Sequence, residues 1–311
     1  MRTVCIYHSI DLDGWMSAAI VKHWWLKNND QSKLESITYL GYNYGQPIPD
    51  LSFYDKVIMC DISFPKEEMD RLRIRLTSDF IWIDHHVSAI KDNDMGLAGL
   101  RDTKFAACEL TWQYFFSNET MPEIVRLLGR YDCFGHKGTD EEQKVLEFQY
   151  GARQCISNYK EAYEKLMNNI QYNRALDKEN LKDERIEIWN SGISIYQYLC
   201  TEAKQVYKNG FEIELEEPDV FTFEIGSTNT VIRKFICINK ERFNPINFGI
   251  DYHKDGYDGC ACFHYDGKVW KFSLYNDNGE VDCSVIAKQL GGGGHKGAAG
   301  FVTNNITQFL K

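Results

Sequence analysis

Two periods of apolar residues alternate along the first half of the chain. TVCIYH (3–8), SITYLGY (36–42), KVIMC (56–60) and DFIWI (79–83) are short, β-rich apolar runs that predict strands. Between them, WMSAAIVKHWWLK (15–27) and FPKEEMDRLRIRL (64–76) carry apolar residues three and four apart and predict helices. That rhythm belongs to a parallel sheet covered on both faces. From about Asn158 to Lys208 the pattern becomes long charged helices, in EAYEKLMNN and DKENLKDERIEIWNSGISIYQYL. Strands return from Phe211, in DVFTFEIG, KFICINK, GCACFHY and KVWKFSLY. The expected architecture is α/β, with an N-terminal parallel-sheet domain over 1–157, a helical connector over 158–210 and a smaller C-terminal α/β domain over 211–311.

The ends of the predicted strands repeat one chemistry. The first strand runs into His8-Ser-Ile-Asp11-Leu-Asp13-Gly14, the KVIMC strand into Asp61, and the DFIWI strand into Asp84-His85-His86. Asp132 stands in GRYDCFGH beyond a helical segment. Any one acid or histidine in a loop is an ordinary solvent-facing residue. Four such stretches are a constellation, and the ends of parallel strands are where an open α/β sheet gathers ligands.

Composition narrows what that constellation serves. Ten cysteines are scattered from Cys5 to Cys283 without CxxC or zinc spacing, which reads as reduced thiols in a cytoplasm. MRTVCIYH has no apolar signal core, and no apolar run approaches a membrane span, so a cytoplasmic protein is expected. A formal net charge of −10 argues against a basic surface wrapped along duplex nucleic acid. A short or small anionic substrate remains, met by local positive charge or by bound metal. Carboxylates and imidazoles without thiolates suit a hard or borderline divalent ion such as Mn²⁺ or Mg²⁺. Asp11 and Asp13 can serve neighbouring ions from one segment, with Asp61 on the adjacent strand as a bridge, the arrangement of two-metal phosphoryl chemistry.

HSIDLDG, Asp61, DHH at 84–86 and Asp132 resemble, in order, the motifs of the DHH phosphoesterase superfamily. EVDCSVIAKQLGGGGHKGAAG (280–300) is similar to the signature of the DHH-associated C-terminal domain. The resemblance implies relatives among nanoRNase/pAp phosphatases, cyclic-dinucleotide phosphodiesterases and RecJ-type exonucleases, with two Mn²⁺ ions in a cleft between domains. It implies His8, Asp11 and Asp61 on one ion, and Asp13, Asp61, His85 and Asp132 on the other. His86 would face the scissile phosphate, with Asp84 supporting the imidazoles. Only Ser9 and Ile10 separate His8 from Asp11, where related hydrolases often have three residues.

The glycine-rich run has a physical reading of its own. Gly292, Gly293 and Gly294 let backbone N–H groups approach a ligand, a helix starting just after would turn its positive end to a phosphate, and His295 and Lys296 add donors. The resemblance makes His295 a substrate-phosphate contact. Tyr275 stands where related domains carry an arginine and can stack on a base. Elsewhere, Trp24, Trp25 and His23 read as helix packing, and ELEEPD (214–219) reads as a solvated loop. The functional expectation is an Mn²⁺-dependent phosphoesterase of short oligonucleotides or small nucleotides, compatible with a homodimer. An inorganic pyrophosphatase or exopolyphosphatase, a RecJ-like single-strand exonuclease and an inactive binding module are the alternatives.

Overall fold

The computed structural model describes residues 1–28, 36–93, 96–175, 183–218, 230–241 and 243–309. Two compact units divide the chain, Met1–Ile195 and Tyr196–Lys311.

The first unit is built on β1 (Arg2–His8), β2 (Ser36–Tyr42), β3 (Lys56–Cys60) and β4 (Phe80–Ile83), all parallel in the order β2-β1-β3-β4. Side chains alternate across a strand, so each face takes every second residue. Val4, Ile6, Val57, Met59, Phe80 and Trp82 share a core with Met69, Leu72 and Leu76 of α2 (Lys66–Leu76). Cys5, Tyr7, Ile58, Cys60, Ile81 and Ile83 face Ala18 and Val21 of α1 (Leu12–Asn28) and Leu110 of α4 (Ala107–Phe115). β1, β3 and β4, covered on both faces, must be apolar nearly throughout, which is why they read as unbroken runs, whereas the edge strand β2 is only half-buried. A short α3 (Val87–Asn93) follows β4.

Further helices thicken the α1 side. These are α5 (Glu123–Asp132), α6 (Glu142–Cys155), α7 (Tyr159–Arg174) and the start of α8 (Glu184–Lys208). Leu12, Met16, Ile20, Trp112, Leu128, Phe148, Leu166 and Ile188 share their core. His23 is buried there and stacks on Phe116 at 5.0 Å, and Trp25 is buried too, so this stretch is packing, as its pattern suggests.

The second unit holds a mixed sheet ordered β5-β6-β7-β8-β10-β9. Its strands are β5 (Phe211–Pro218), β6 (Thr230–Asn239), β7 (Gly259–Tyr265), β8 (Trp270–Tyr275), β9 (Gly293–His295) and β10 (Ala298–Thr303). One face packs Phe235, Cys237, Phe263, Phe272 and Leu274 against Val281 and Ile286, the latter from α9 (Cys283–Gln289).

Two expectations are overturned here. ELEEPD is not a loop: Glu214–Pro218 belong to β5, whose Ile213 and Leu215 are buried while Glu214 and Glu216 face solvent. Glu217 is held by Arg233 and by the amide of Asp282. Nor does a helix start just after the glycine run. The segment folds as the β9–β10 hairpin, and the helix, α9, precedes it. The predicted strand DVFTFEIG and residues 177–182 of the second charged helix lie outside the described residues. All ten cysteines are free thiols, and no described helix is long and apolar enough to cross a membrane.

In the first unit, α6 and α8 cross at two glycines. A Cβ on Gly151 would meet Ile188 O at 1.9 Å, and one on Gly192 would meet Glu147 O at 1.8 Å. Alanine is favoured over glycine within a helix by about 1 kcal/mol, whereas forcing helix backbones apart costs about 3 kcal/mol. Gly192→Ala is therefore expected to destabilise the protein by about 2 kcal/mol net, read from urea unfolding. A stabilised variant would show that the two helices do not touch there.

Candidate metal centre

Strand order places the centre. β1 lies between β2 and β3, so the chain leaves its C-terminal end toward one neighbour and returns beside the other, the switch point at which open α/β sheets bind ligands. His8 ends β1, Asp61 follows β3, and Asp84 follows β4. Asp13 lies in the first turn of α1, and Asp132 is the last residue of α5. Gly14 is what lets α1 start so close to β1, since a Cβ there would meet His8 O at 2.0 Å.

The expected donors come together in three overlapping groups: His8, Asp11 and Asp61; Asp13, His85 and Asp132; and Asp61, His85 and His86. Within each group the ligand atoms lie within 4.8 Å of one another. Despite the short spacing, His8 Nδ1 is 2.6 Å from Asp11 Oδ2, and it is 3.4 Å from Asp61 Oδ2. His85 Nε2 is 3.2 Å from Asp132 Oδ2, 3.4 Å from Asp61 Oδ1 and 3.7 Å from Asp13 Oδ2. His86 Nδ1 lies 2.8 Å from Asp84 Oδ1, which also accepts from the His85 and His86 amides and so fixes the turn out of β4.

Asp61 is the hinge of this arrangement. It is 1% exposed and sits at φ 62°, a left-handed conformation that is uncommon outside glycine and that often marks functional sites. Its N–H donates to Ile83 O, tying the strained residue to β4. Neither of its carboxylate oxygens, nor His8 Nδ1, nor His85 Nε2 makes a hydrogen bond of acceptable geometry among the described residues. Close approach without hydrogen-bond alignment is what donors aimed at common points produce. His8 Nε2 lies 3.3 Å from Asn43 Oδ1, so the tautomer with Nε2–H on Asn43 leaves Nδ1 as the lone-pair donor. The donor set thus fits hard divalent cations.

Without cations the centre is electrostatically crowded. Burial, then the charge of Asp61, pushes Asp11 up to about 6, and burial with Asp61 and Asp132 raises Asp13 well above the carboxylate range. Burial disfavours charge on the histidines, yet Asp11 and Asp61 carry His8 up to about 10, and Asp132 and Asp61 carry His85 up to about 12. Asp61, although burial opposes it, is held well below the usual range by His8 and His85. Carboxylates that raise one another's pKa are short of positive charge.

The supporting residues escape a sequence reading. Asp13 accepts from the amides of Ala107 (2.9 Å) and Cys108 (2.7 Å), the first turn of α4. Buried Glu109 accepts from Ala106 N, and Arg130 grips both its oxygens at 3.2 and 2.7 Å. Gly129 makes room, since a Cβ there would meet Glu109 Cγ at 2.4 Å. The one sequence signal that could have pointed to them is the glycine beside Arg130 in LLGRYD.

The glycine-rich segment belongs to the second unit. Its glycines admit its own strand: a Cβ on Gly292 would meet Gly300 O at 2.0 Å, and one on Gly294, at φ 141°, would meet Ala299 Cα at 2.5 Å. Gly293 faces open space, and His295 and Lys296 are exposed. Tyr275 pairs with Ala298, and Ala298 with His295, so the three share one face of the sheet.

No family model matches the chain. Protein R106 of Acanthamoeba polyphaga mimivirus is 24% identical over 324 aligned residues, covering 97% of this chain and 68% of its own length. Among solved structures, an exopolyphosphatase-related protein from Bacteroides fragilis aligns with TM-score 0.51 at 14% identity, covering 99% of this chain and 88% of that one. A pGpG-specific phosphodiesterase from Vibrio cholerae aligns with TM-score 0.50 at 14% identity, covering 97% and 93% respectively. At such identities the likeness is one of fold.

Cation binding at this donor set would require neutral imidazoles, and so would displace the protons that His8 and His85 hold in the metal-free protein at pH 7. Divalent-cation affinity is expected to rise between pH 7 and 10, about tenfold per pH unit for each proton released. The metal-free fold runs the other way. His8 titrates near 10 when folded against 6.5 ordinarily, so its contribution to stability is full below about pH 6.5 and is lost as pH rises through 10. Calorimetry in buffers of different ionisation enthalpy counts the protons; zero release would remove both histidines from the ligand set.

Proposed function

On the premise of a DHH-type fold, we propose that this chain is a divalent-metal-dependent phosphoesterase that hydrolyses short oligonucleotides or small nucleotides. Two ions, Mn²⁺ foremost, would be held by His8, Asp11 and Asp61 and by Asp13, Asp61, His85 and Asp132. The observation that carries the reading is the buried Asp61 carboxylate, both oxygens without a hydrogen bond among the described residues and each 3.4 Å from a different histidine. Such a carboxylate is costly to bury unless cations meet it. Bound ions would supply an activated water and neutralise charge on the phosphoryl oxygens.

The chain's own groups do the rest. Backbone amides hold Asp11, Asp13 and Asp84 in place, which leaves Asp61 to be shared. Burial disfavours a charged His86, but Asp84 raises its pKa, which favours the doubly protonated ring whose Nε2–H would serve as a donor to a phosphoryl oxygen. His295 and Lys296 are donors for a phosphate of the substrate, with Tyr275 on the same face as His295. The pGpG-specific phosphodiesterase among the fold relatives supports a short nucleotide substrate. The exopolyphosphatase-related protein supports a second reading, inorganic polyphosphate or pyrophosphate.

A panel with Mn²⁺ distinguishes them: pyrophosphate, polyphosphate, pAp, pGpG, di- to pentanucleotides and long single strands. Turnover is expected to be fastest on the short nucleotides, because a net charge of −10 offers no basic track for a long strand. Rates climbing steadily with length would overturn the short-substrate reading.

Two variants divide the roles. Asp61→Asn, a residue that tolerates left-handed backbone, should lower turnover at least about 100-fold and lose bound Mn²⁺ by elemental analysis while remaining folded. His295→Ala should also slow nucleotide hydrolysis, yet retain its Mn²⁺. Near-normal turnover in the first, or metal loss in the second, contradicts the assignment.

A further inference from the structure

Exposed apolar side chains are normal when scattered. Here several neighbour the donor residues, three of them along the chain and one by ring contact. Ile10 adjoins Asp11, Val87 adjoins His86, Phe134 stands two residues beyond Asp132, and the Tyr44 ring lies 6.1 Å from that of His8. Tyr44 is 51% exposed and Phe134 57%.

Phe134 is held out deliberately. It sits at φ 57°, a left-handed conformation that a bulky residue adopts only where its surroundings impose it. Those surroundings are well built. Phe134 N donates to Tyr131 O and Lys137 N donates to Phe134 O, both at 3.2 Å. His136, 2% exposed, stacks on Tyr131 at 5.4 Å and 9° and pins its Nδ1 2.9 Å from Arg130 O. The turn is thus anchored beneath while its apex presents a ring to solvent, with Lys137 Nζ 5.0 Å from the ring centroid. Tyr44 is fixed similarly, since Asn43 Oδ1 accepts from its amide and approaches His8 Nε2 at 3.3 Å.

An inorganic phosphate chain has no apolar face to meet two such rings. A nucleobase has one, and every base stacks. We propose that Tyr44 and Phe134 are stacking faces for the nucleobases joined to the phosphate at the donor cluster, and that they select base-bearing phosphoesters over inorganic pyrophosphate or polyphosphate. The inference rests on the phosphoesterase reading and narrows its substrate class.

The test compares a dinucleotide with the same ribose–phosphate skeleton lacking its bases, on the Mn²⁺-loaded full chain. The wild type should favour the dinucleotide in kcat/KM. Tyr44→Ala and Phe134→Ala should each reduce that preference about tenfold, mainly through KM, the size of one lost base–aromatic stack. Tyr44→Phe and Phe134→Tyr should keep it within about twofold. Calorimetric Kd values for both compounds with Ca²⁺ in place of Mn²⁺ should show the same ratios without turnover. A preference that survives both alanine variants, or is lost in the conservative ones, overturns the proposal. Should an alanine variant fail to fold, equal Kd values for the two compounds in the wild type overturn it as well. Equal kcat/KM on the two compounds in the wild type overturns it while leaving the phosphoesterase reading intact, whereas faster turnover of pyrophosphate or polyphosphate overturns both and favours the inorganic-phosphate reading. No turnover of any phosphoester removes both.

Discussion

Burying Asp61 at the end of a parallel sheet is the constraint around which the first unit is arranged. A carboxylate that is 1% exposed must be compensated, and this one takes no hydrogen bond for either oxygen among the described residues. Its compensation arrives from two strands, His8 at the end of β1 and His85 beyond β4, with β3 between them. That requires the order β2-β1-β3-β4, left-handed backbone at Asp61, and a glycine at 14 so that α1 can begin against His8. Each is a local cost that the apolar strand cores on both faces can sustain.

Much of this was legible because parallel strands buried on two faces must be apolar throughout, so their ends are marked by the first polar residue. His8, Asp61 and Asp84 are those residues. What escaped was of three kinds. ELEEPD looks like a solvated loop because four of its six residues are acidic, yet Ile213 and Leu215 at alternate positions bury one face of β5, and an edge strand can keep its glutamates in water. The glycine run misled in another way. Glycine signals close approach without naming what approaches, and at Gly292 and Gly294 the partner is β10 rather than a ligand. Glu109 and Arg130 were invisible for a third reason: their pairing spans 21 residues, and on helices neither breaks an amphipathic pattern.

An acidic chain can still serve a phosphate substrate if its negative charge is spent on cations. A net charge of −10 repels polyanions at long range, but salt screens exposed charges beyond about 8 Å. At the centre the local balance decides, and there bound divalent cations would offset most of the negative charge of Asp11, Asp13, Asp61, Asp84 and Asp132.

How those carboxylates are held follows from the same logic. A lysine or arginine placed directly on them would fix their geometry and, at the same time, occupy the charge that cations need. Instead, Asp11 takes the amide of Gly14, Asp13 the amides of Ala107 and Cys108, and Asp84 those of His85 and His86. Amides orient a carboxylate through partial charge alone, so its formal charge stays available. Arg130 is kept one step away, on Glu109, whose other contact is the amide of Ala106 at the start of α4. The ion pair thereby steadies the helix end that steadies Asp13, contributing rigidity without putting a fixed cation beside the donor atoms.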